Sequence, residues 1–352
     1  MTAASAPGQP SARPSVRPRV EPAVRAVRIS AAVLCVLGAG SLAYAFYRVP
    51  VIFPAATIFA IALQVPLLLL GWWLLRLARP LSAPPRTWSA AAVIWGATAA
   101  SGCAVVANPA LTGLWAKTAG VAFASNWSAA LTAPLNEELL KVSGVALLAV
   151  AAPRVIRGPM DGLIIGALTG LGFQVLENVT YSLNAIPLTG ATAPGAAVAA
   201  IAIVRVGLTT LGSHWDMTAV AGAGVGFLAA RGLRGGALPA AGCLATAMGM
   251  HLLFDSPTSP SAGVVLLKVL ADLIVVGAFY LTLRRRYRAR ARAALARRVA
   301  EGAIPASEAP FLLTRSGRRR RQRQVRVGAV RDDIRAHQLA DLAAIEEEAA
   351  AY

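Results

Sequence analysis

The segment AGVVLLKVLADLIVVGAFYLTLRRR, residues 262–286, decides the fold of this chain. Its apolar part, 262–283, is long enough to cross the hydrocarbon core of a bilayer as one helix. The arginines that follow it, Arg284 to Arg286, form the kind of basic flank that marks the cytoplasmic end of a membrane span. The segment therefore predicts a membrane helix, and the rest of the sequence has the same character.

Apolar segments of similar length recur along the whole chain. Hydrophobic residues make up 57% of the 352 residues and charged residues 14%, and the mean hydropathy is +0.60. A soluble domain cannot bury that much apolar surface, and backbone exposed to lipid must form its hydrogen bonds within its own segment. We therefore predict an all-α, polytopic transmembrane helical bundle. Besides 262–283, the predicted helices lie at 30–48, 53–76, 88–107, 111–130, 134–153, 160–183, 196–212, 213–230 and 237–254.

The arginines between these segments indicate how the chain crosses the membrane. Linkers 184–195 and 255–261 contain a single charge and are predicted to be external, whereas three arginine-containing linkers are predicted to be cytoplasmic. These sides fit about eight crossings of the cell membrane, with both termini cytoplasmic. Segments 111–130 and 196–212 are then re-entrant or interfacial pieces on the outer side. An alternative arrangement with ten crossings places Arg154 and Arg157 on the external side. The linker arginines are Arg76, Arg79, Arg86, Arg154, Arg157, Arg231 and Arg234.

Two acidic residues and a lysine lie inside the apolar segment 134–153. An ionisable side chain in hydrocarbon costs several kcal/mol, so Glu137, Glu138 and Lys141 need a structural or functional reason. Glu137 and Lys141 are four residues apart on one helix face, where the lysine can hold the glutamate ionised. The alternative is a helix that begins at Pro134 and carries acidic residues in its first turn.

Polar residues recur in three later apolar segments. Phe173 and Glu177 share a helix face, and Asn178 follows directly. His214 and Thr218 are four residues apart at the start of the next predicted helix. His251 and Asp255 are also four apart, so that the carboxylate can orient the imidazole. In the arrangement with eight crossings all of these residues fall in the outer part of the bilayer.

Such a cluster can perform two kinds of chemistry. A glutamate can act as general base on a water molecule while a histidine stabilises the developing oxyanion. Alternatively, His214, His251 and Glu177 can bind zinc, with Glu137 or Glu138 activating the bound water. Neither of the zinc-binding motifs HExxH and HxxEH occurs in the sequence, so the residues alone do not require a metal.

These motifs resemble the PrsW family of membrane proteases. The family shows Glu-Glu-x-x-Lys, here Glu137 to Lys141, then Phe-x-x-x-Glu, here Phe173 to Glu177, and later two single histidines, here His214 and His251. The resemblance covers about 125 to 260.

The resemblance implies an intramembrane endopeptidase related to the type II CAAX prenyl endopeptidases. It would hydrolyse peptide bonds of membrane-associated proteins, and some members of the family cleave anti-sigma factors. The resemblance implies either a zinc-dependent or a metal-free glutamate mechanism. The implied catalytic residues are Glu137, Glu138, Glu177, His214 and His251, supported by Lys141, Phe173, Asn178, Thr218 and Asp255.

Two other functions are compatible with the same residues. A catalytically inactive membrane scaffold could use the polar cluster as interhelical hydrogen bonds. A proton-coupled transporter could use Glu177 and the histidines as a relay, but such transporters are built from repeats, and we find no convincing internal repeat.

The chain divides into four predicted regions. Residues 1–28 form a disordered basic cytoplasmic arm, 29–110 the N-terminal transmembrane helices, 111–283 the catalytic membrane core and 284–352 an Arg-rich cytoplasmic tail. The net charge is +18, and the tail carries half of the 34 lysines and arginines. Because this charge flanks membrane spans, we expect the tail to bind anionic lipid headgroups rather than nucleic acid. The tail is predicted to be a membrane-surface anchor or a disordered extension, with one short helix near 333–348.

Overall fold

The computed structural model describes residues 21–258, 261–324 and 328–350, and these residues form helices without any strand. The all-α prediction is confirmed. In chain order the helices are α1 (Pro22–Phe46), α2 (Arg48–Ile52), α3 (Pro54–Ala78), α4 (Arg86–Ala119, with a π-helical turn at Gly96–Ala100), α5 (Val121–Ala151), α6 (Pro159–Leu188), α7 (Pro194–Leu208, with a π-helical turn at Ile203–Leu208), α8 (His214–Asp255), α9 (Ala262–Ala300), α10 (Ala309–Leu312), α11 (Arg315–Arg323) and α12 (Gly328–Ala350).

Six of these helices are long and apolar enough to cross a membrane, namely α1, α3, α4, α6, α8 and α9. Helix α5 has 31 residues but is not among the six, because Glu137, Glu138 and Lys141 interrupt its apolar run. The expected number of about eight crossings stays a prediction.

Helix α6 is the centre of the bundle. Of its most apolar 18-residue stretch 83% is buried, compared with 6% for α1. Helix α8 packs against it in antiparallel orientation, with Gly162 of α6 beside Gly222 and Gly170 beside His214. Any side chain at Gly170 would collide with the backbone oxygen of His214, so this glycine lets α8 approach closely and fixes where His214 lies.

Helix α8 is bent back on itself in the middle. Gly232 has φ 66° and ψ −176°, which breaks the helical geometry and favours glycine. The two arms then pack together, with Gly224 of the first arm against Ala240 and Cys243 of the second. Segments 213–230 and 237–254 were predicted as separate helices, and they form these two arms. The hairpin returns His251, near the end of the second arm, to the level of His214 at the start of the first.

The predicted boundary between the helices 111–130 and 134–153 is wrong. The chain turns at Gly120, whose φ is 93°, and α5 begins directly after it at Val121. Segment 111–130 is therefore shared between the end of α4 and the beginning of α5 and is not a separate re-entrant piece. Pro134 lies inside α5 rather than opening a helix, because its missing N–H costs one backbone hydrogen bond that a packed membrane helix tolerates.

The ends of the chain also differ from expectation. Helix α9 continues far beyond residue 283, and the described residues after it form α10 to α12, so the interpretation of the tail as a disordered extension is wrong. The short helix expected near 333–348 is the longer α12. The predicted arm 1–28 lies mostly outside the described residues, but its last part, from Pro22 onward, is helical.

Candidate active site

Three helices bring the predicted polar residues together. Helix α5 supplies Glu137 and Glu138, α6 supplies Glu177, and the two arms of α8 supply His214 and His251. The two imidazole rings meet edge to face with their centroids 5.0 Å apart. Both rings and the two glutamates of α5 are buried. Asp161 lies at the start of α6, next to the arginine-containing linkers, and Glu177 follows it by sixteen residues. At 1.5 Å per residue, the cluster is about 24 Å along the helix from that end.

Both carboxylate oxygens of Glu138 are occupied. Lys141 Nζ lies 2.6 Å from Glu138 Oε1, and His251 Nδ1 lies 3.0 Å from the same oxygen. Thr218 Oγ1 donates to Glu138 Oε2 over 3.1 Å. The expected ion pair between Lys141 and Glu137 is present at 3.8 Å, but the shorter contact of Lys141 is with Glu138. A lysine three residues along a helix reaches the acid as easily as one four along, and the shorter spacing prevails here.

Glu137 is held differently. Its Oε1 accepts a hydrogen bond of 2.8 Å from Asn108 of α4, and Asn136 in turn donates to Asn108 over 2.8 Å. Its Oε2 is buried and has no hydrogen-bond partner among the described residues. This oxygen lies 3.9 Å from His214 Nδ1 and 3.8 Å from His251 Nε2. One oxygen of Glu137 is therefore held by Asn108, and the other is free and lies beside the histidines.

Glu177 fixes His214 from the other side. His214 Nε2 lies 2.6 Å from Glu177 Oε2, and Arg205 forms an ion pair with the same oxygen. Arg205 also donates to Asn178 Oδ1 over 2.7 Å and stacks on Tyr181, with its guanidinium carbon 4.0 Å from the ring centroid.

The other imidazole nitrogens contact lysine and aspartate. Lys141 Nζ lies 2.9 Å from His214 Nδ1, so the ammonium donates to Nδ1 while Nε2–H donates to Glu177. Phe173 packs edge to face on His214 at 4.8 Å and lies under the Lys141 ammonium at 4.5 Å. Asp255 Oδ2 lies 3.4 Å from His251 Nε2. The structure therefore brings every predicted site residue into one cluster or into direct contact with it.

Sequence reasoning missed Asn108 and Arg205. The signal for Arg205 was a single arginine within the apolar segment 196–212, but its partner on α6 could not be read from the sequence. Asn108 had no comparable signal, because an uncharged polar residue near the end of a membrane segment is common.

A cavity of about 430 Å³ opens onto the cluster. Its wall includes Glu137, His214 and His251 of the cluster, together with apolar or small residues from α1, α4 and α5. Such a volume lies within the range of about 300–1,000 Å³ that is typical of ligand-binding pockets. The charged residues and histidines at its wall are Glu137, Glu177, Arg205, His214, His251 and Asp255, and Asn108 also lines it.

The cluster offers the donor types and the negative charge of a divalent metal site, but in this arrangement both ring nitrogens of His214 contact other residues, Lys141 and Glu177. Donor atoms of Glu137, His214 and His251 all lie within 4.8 Å of one another, whereas the predicted zinc set contained Glu177 in place of Glu137. The Oε2 atom of Glu137 has no hydrogen-bond partner among the described residues and is available as a ligand atom. Four carboxylates, those of Glu137, Glu138, Glu177 and Asp255, are opposed by the permanent cations Lys141 and Arg205, which leaves negative charge for a metal or protonated histidine to neutralise.

Comparison with known proteins decides the family. The model of the PrsW family of intramembrane metalloproteases matches residues 84–283, more than half of the chain. The chain belongs to the PrsW family. No curated protein and no solved structure matches it. The PrsW match begins before residue 111, where the catalytic core was expected to begin, and therefore includes α4 with Asn108.

Membership in the PrsW family and the apolar helices make this a multi-pass membrane protein with an intramembrane protease domain. The family assignment supports peptidase activity over the scaffold and the transporter that the sequence left open. The family name indicates a metalloprotease, and the arrangement of Glu137, His214 and His251 agrees with a metal site in the types and proximity of its donors.

Proposed function

We propose that this PrsW-family protein is an endopeptidase that cleaves membrane-associated proteins, with Glu137 as the group that activates water. The observation that carries the proposal is the free Oε2 of Glu137, which lies beside both histidines at the wall of the cavity. A buried carboxylate oxygen without a partner is costly and needs an explanation, which a catalytic role provides. An anti-sigma factor-like substrate follows from the family resemblance alone and belongs to the same proposal.

In the proposed reaction, Glu137 Oε2 takes a proton from a water molecule as the water oxygen attacks the scissile carbonyl carbon. His251 stabilises the negative charge on the carbonyl oxygen as an imidazolium: Nδ1–H donates to Glu138, and Nε2–H, 3.8 Å from Glu137 Oε2, is left for the carbonyl oxygen. The C–N bond then breaks, and Glu137 returns the proton to the departing amine nitrogen. One carboxylate thus acts first as base and then as acid.

The other residues position these groups. Glu138 and Lys141 form a buried pair that holds His251 and approaches His214. Glu177 orients His214, and Asn108 fixes the carboxylate of Glu137 so that its second oxygen stays free. Each of these contacts is a buried or partly buried hydrogen bond with a charged group, the type that positions side chains most firmly.

The three donors Glu137, His214 and His251 would also hold a divalent metal, in keeping with the family description. A metal held there supplies Lewis acidity to the scissile carbonyl. Glu137 is required in either mechanism, but its free Oε2 would be a metal ligand in the metal-dependent mechanism and the base for water in the metal-free mechanism.

The Arg-rich tail belongs to the proposal as a membrane contact. Arg319, Arg320 and Arg323 are exposed on α11, close in sequence to the end of the membrane helix α9. Exposed arginines of this kind bind anionic lipid headgroups with about 1 kcal/mol each. With the tail and the linker arginines on the cytoplasmic side, both termini are cytoplasmic and the cluster faces outward.

The proposal is tested by incubating a membrane protein extract with purified wild type or with Glu137→Gln in water enriched in ¹⁸O. Mass spectrometry should find new termini with wild type, each new carboxyl group carrying ¹⁸O from hydrolysis. Identical termini in the two samples would support the scaffold instead.

A further inference from the structure

Arg205 lies on an apolar helix that is too short to be among the candidate membrane spans and that contacts the cluster through this arginine. Helix α7, Pro194–Leu208, is a shorter apolar helix, and its second half is the π-helical turn Ile203–Leu208. A charged side chain in such a segment costs several kcal/mol, and π-helical turns are frequent at functional sites. Arg205 therefore needs a reason, and its contacts supply one.

The guanidinium of Arg205 is held by three residues of a single helix, α6. It forms an ion pair with Glu177, donates to Asn178 Oδ1 over 2.7 Å and stacks on the ring of Tyr181. Asn178 is itself fixed by a hydrogen bond of 3.0 Å to Gln64 of α3. A planar guanidinium with two bonded nitrogens and a stacked face has one orientation, which a lysine could not reproduce.

This orientation is passed on to the candidate active site. Glu177 Oε2 is shared between the guanidinium and His214 Nε2, which lies 2.6 Å away. Because that oxygen accepts the proton on Nε2, His214 Nδ1 is left as an acceptor, and it faces Lys141 at 2.9 Å and Glu137 at 3.9 Å. Arg205 thus acts on His214 indirectly, through the carboxylate of Glu177.

We propose that Arg205 is a positioning residue that fixes the Glu177 carboxylate and, through it, the tautomer and orientation of His214. The consequence for catalysis rests on the proposed peptidase function, whereas the effect on His214 does not. A merely structural arginine would attach α7 to α6 and lower stability when removed, without acting specifically through Glu177.

The kinetic test is a double-mutant cycle of Arg205→Gln and Glu177→Gln in reconstituted enzyme, with Arg48→Gln as control. Arg48 is exposed on α2 and bonds to Tyr47. Arg205→Gln should lower kcat about 10- to 100-fold with KM within about twofold, as for other residues that orient a functional side chain. In the Glu177→Gln background it should add less than about twofold, because its partner is gone. Multiplicative losses, or an unchanged kcat, would overturn the proposal.

A measurement independent of activity separates this proposal from the peptidase function. The sequence contains three histidines, His214, His251 and His337, so ¹⁵N-histidine labelling gives a ring spectrum that His→Gln variants can assign. Arg205→Gln and Glu177→Gln should both shift the His214 ring nitrogens, and Arg48→Gln should leave them in place. If Arg205→Gln does not fold, Arg205→Lys serves the same test and should shift them to a smaller extent. An unshifted His214 signal would overturn the proposal even in an active enzyme, and a shifted signal in a protein that cleaves nothing would support it while the peptidase function fails.

Discussion

Glu137 and Glu138 are neighbours in the sequence, yet Glu138 uses both carboxylate oxygens in hydrogen bonds while Glu137 keeps one oxygen free beside the histidines. Lys141 accounts for the difference, because its ammonium lies 2.6 Å from Glu138 and 3.8 Å from Glu137. One glutamate of the pair is therefore built into the structure, and the other is available for chemistry.

This difference predicts unequal effects of the two substitutions on stability. Glu138→Gln removes the counter-charge of the buried Lys141 ammonium and should lower the free energy of unfolding by about 3–5 kcal/mol. Glu137→Gln keeps the hydrogen bond from Asn108 and should change it by less than about 1 kcal/mol. Thermal unfolding of the two variants in the same detergent measures both effects. Equal destabilisation by the two substitutions would contradict the assignment of Glu138 as the structural partner.

Asn108 is expected to matter for rate. Asn108→Ala removes the bond that orients Glu137 and should lower kcat about 10- to 100-fold with little change in the amount of folded protein. The control is Asn126→Ala on α5, where an exposed asparagine bonds to the Ala122 backbone within its own helix. Kinetics on one reporter substrate compare the two, and similar losses in both variants would show that the amide of Asn108 has no specific role.

Metal binding is expected to depend on Glu137 and not on the negative charge of Glu177. Elemental analysis of the purified protein should find that bound divalent metal is lost in Glu137→Ala, His214→Ala and His251→Ala. It should be retained in Glu177→Gln, because the amide oxygen still accepts the N–H of His214. Retention in Glu137→Ala, or loss in Glu177→Gln, would instead favour the set His214, His251 and Glu177.

The C-terminal helix is attached by a buried carboxylate. Glu346 of α12 accepts hydrogen bonds from Arg79 over 2.6 Å and from Arg157 over 3.1 Å. Burial raises the pKa of the Glu346 carboxyl, but the positive charge of Arg79 and the hydrogen bonds from Arg79 and Ser82 outweigh burial and place the pKa below its usual value. Because the pKa is lowered in the folded state, the stabilisation is complete above the pKa of an unfolded glutamate, about 4.3, and is lost as the pH falls through the lowered value.

Glu346→Gln should therefore release α12 at neutral pH. We expect the opening equilibrium of the helix to rise more than a hundredfold, about 3 kcal/mol, because Arg79 and Arg157 are then left to share one carboxylate, that of Asp161. Hydrogen exchange of residues 340–350 measures this opening. Glu347→Gln, an exposed neighbour on the same helix, is the matched control. Protection that is unchanged in Glu346→Gln would show that apolar contacts alone hold the helix.

Much of the candidate site could be predicted, because charges in apolar segments are conspicuous. Glu137, Glu138, Glu177 and both histidines were identified on this basis, and the structure gathers them in one cluster. The partners within the cluster could not be predicted, since Lys141 reaches Glu137 and Glu138 equally well by helix spacing alone.

The fold was less fully predictable where local signals conflict with packing. Pro134 indicated the beginning of a helix, but α5 continues through it because neighbouring helices cover its backbone. The tail was polar enough to be read as disordered, yet the side chains of Leu342 and Ile345 and the ion pairs of Glu346 fix it to the bundle. Both outcomes depend on contacts between residues far apart in the sequence.

The most direct test of the account is cleavage of one identified substrate by wild type and Glu137→Gln reconstituted in the same lipid. We expect Glu137→Gln to lower kcat at least about 100-fold, as loss of a general base does, while thermal unfolding stays close to that of wild type. Glu301→Gln, an exposed acid at the end of α9, should cleave at the wild-type rate. A folded Glu137→Gln variant that cleaves at the wild-type rate would contradict the central claim.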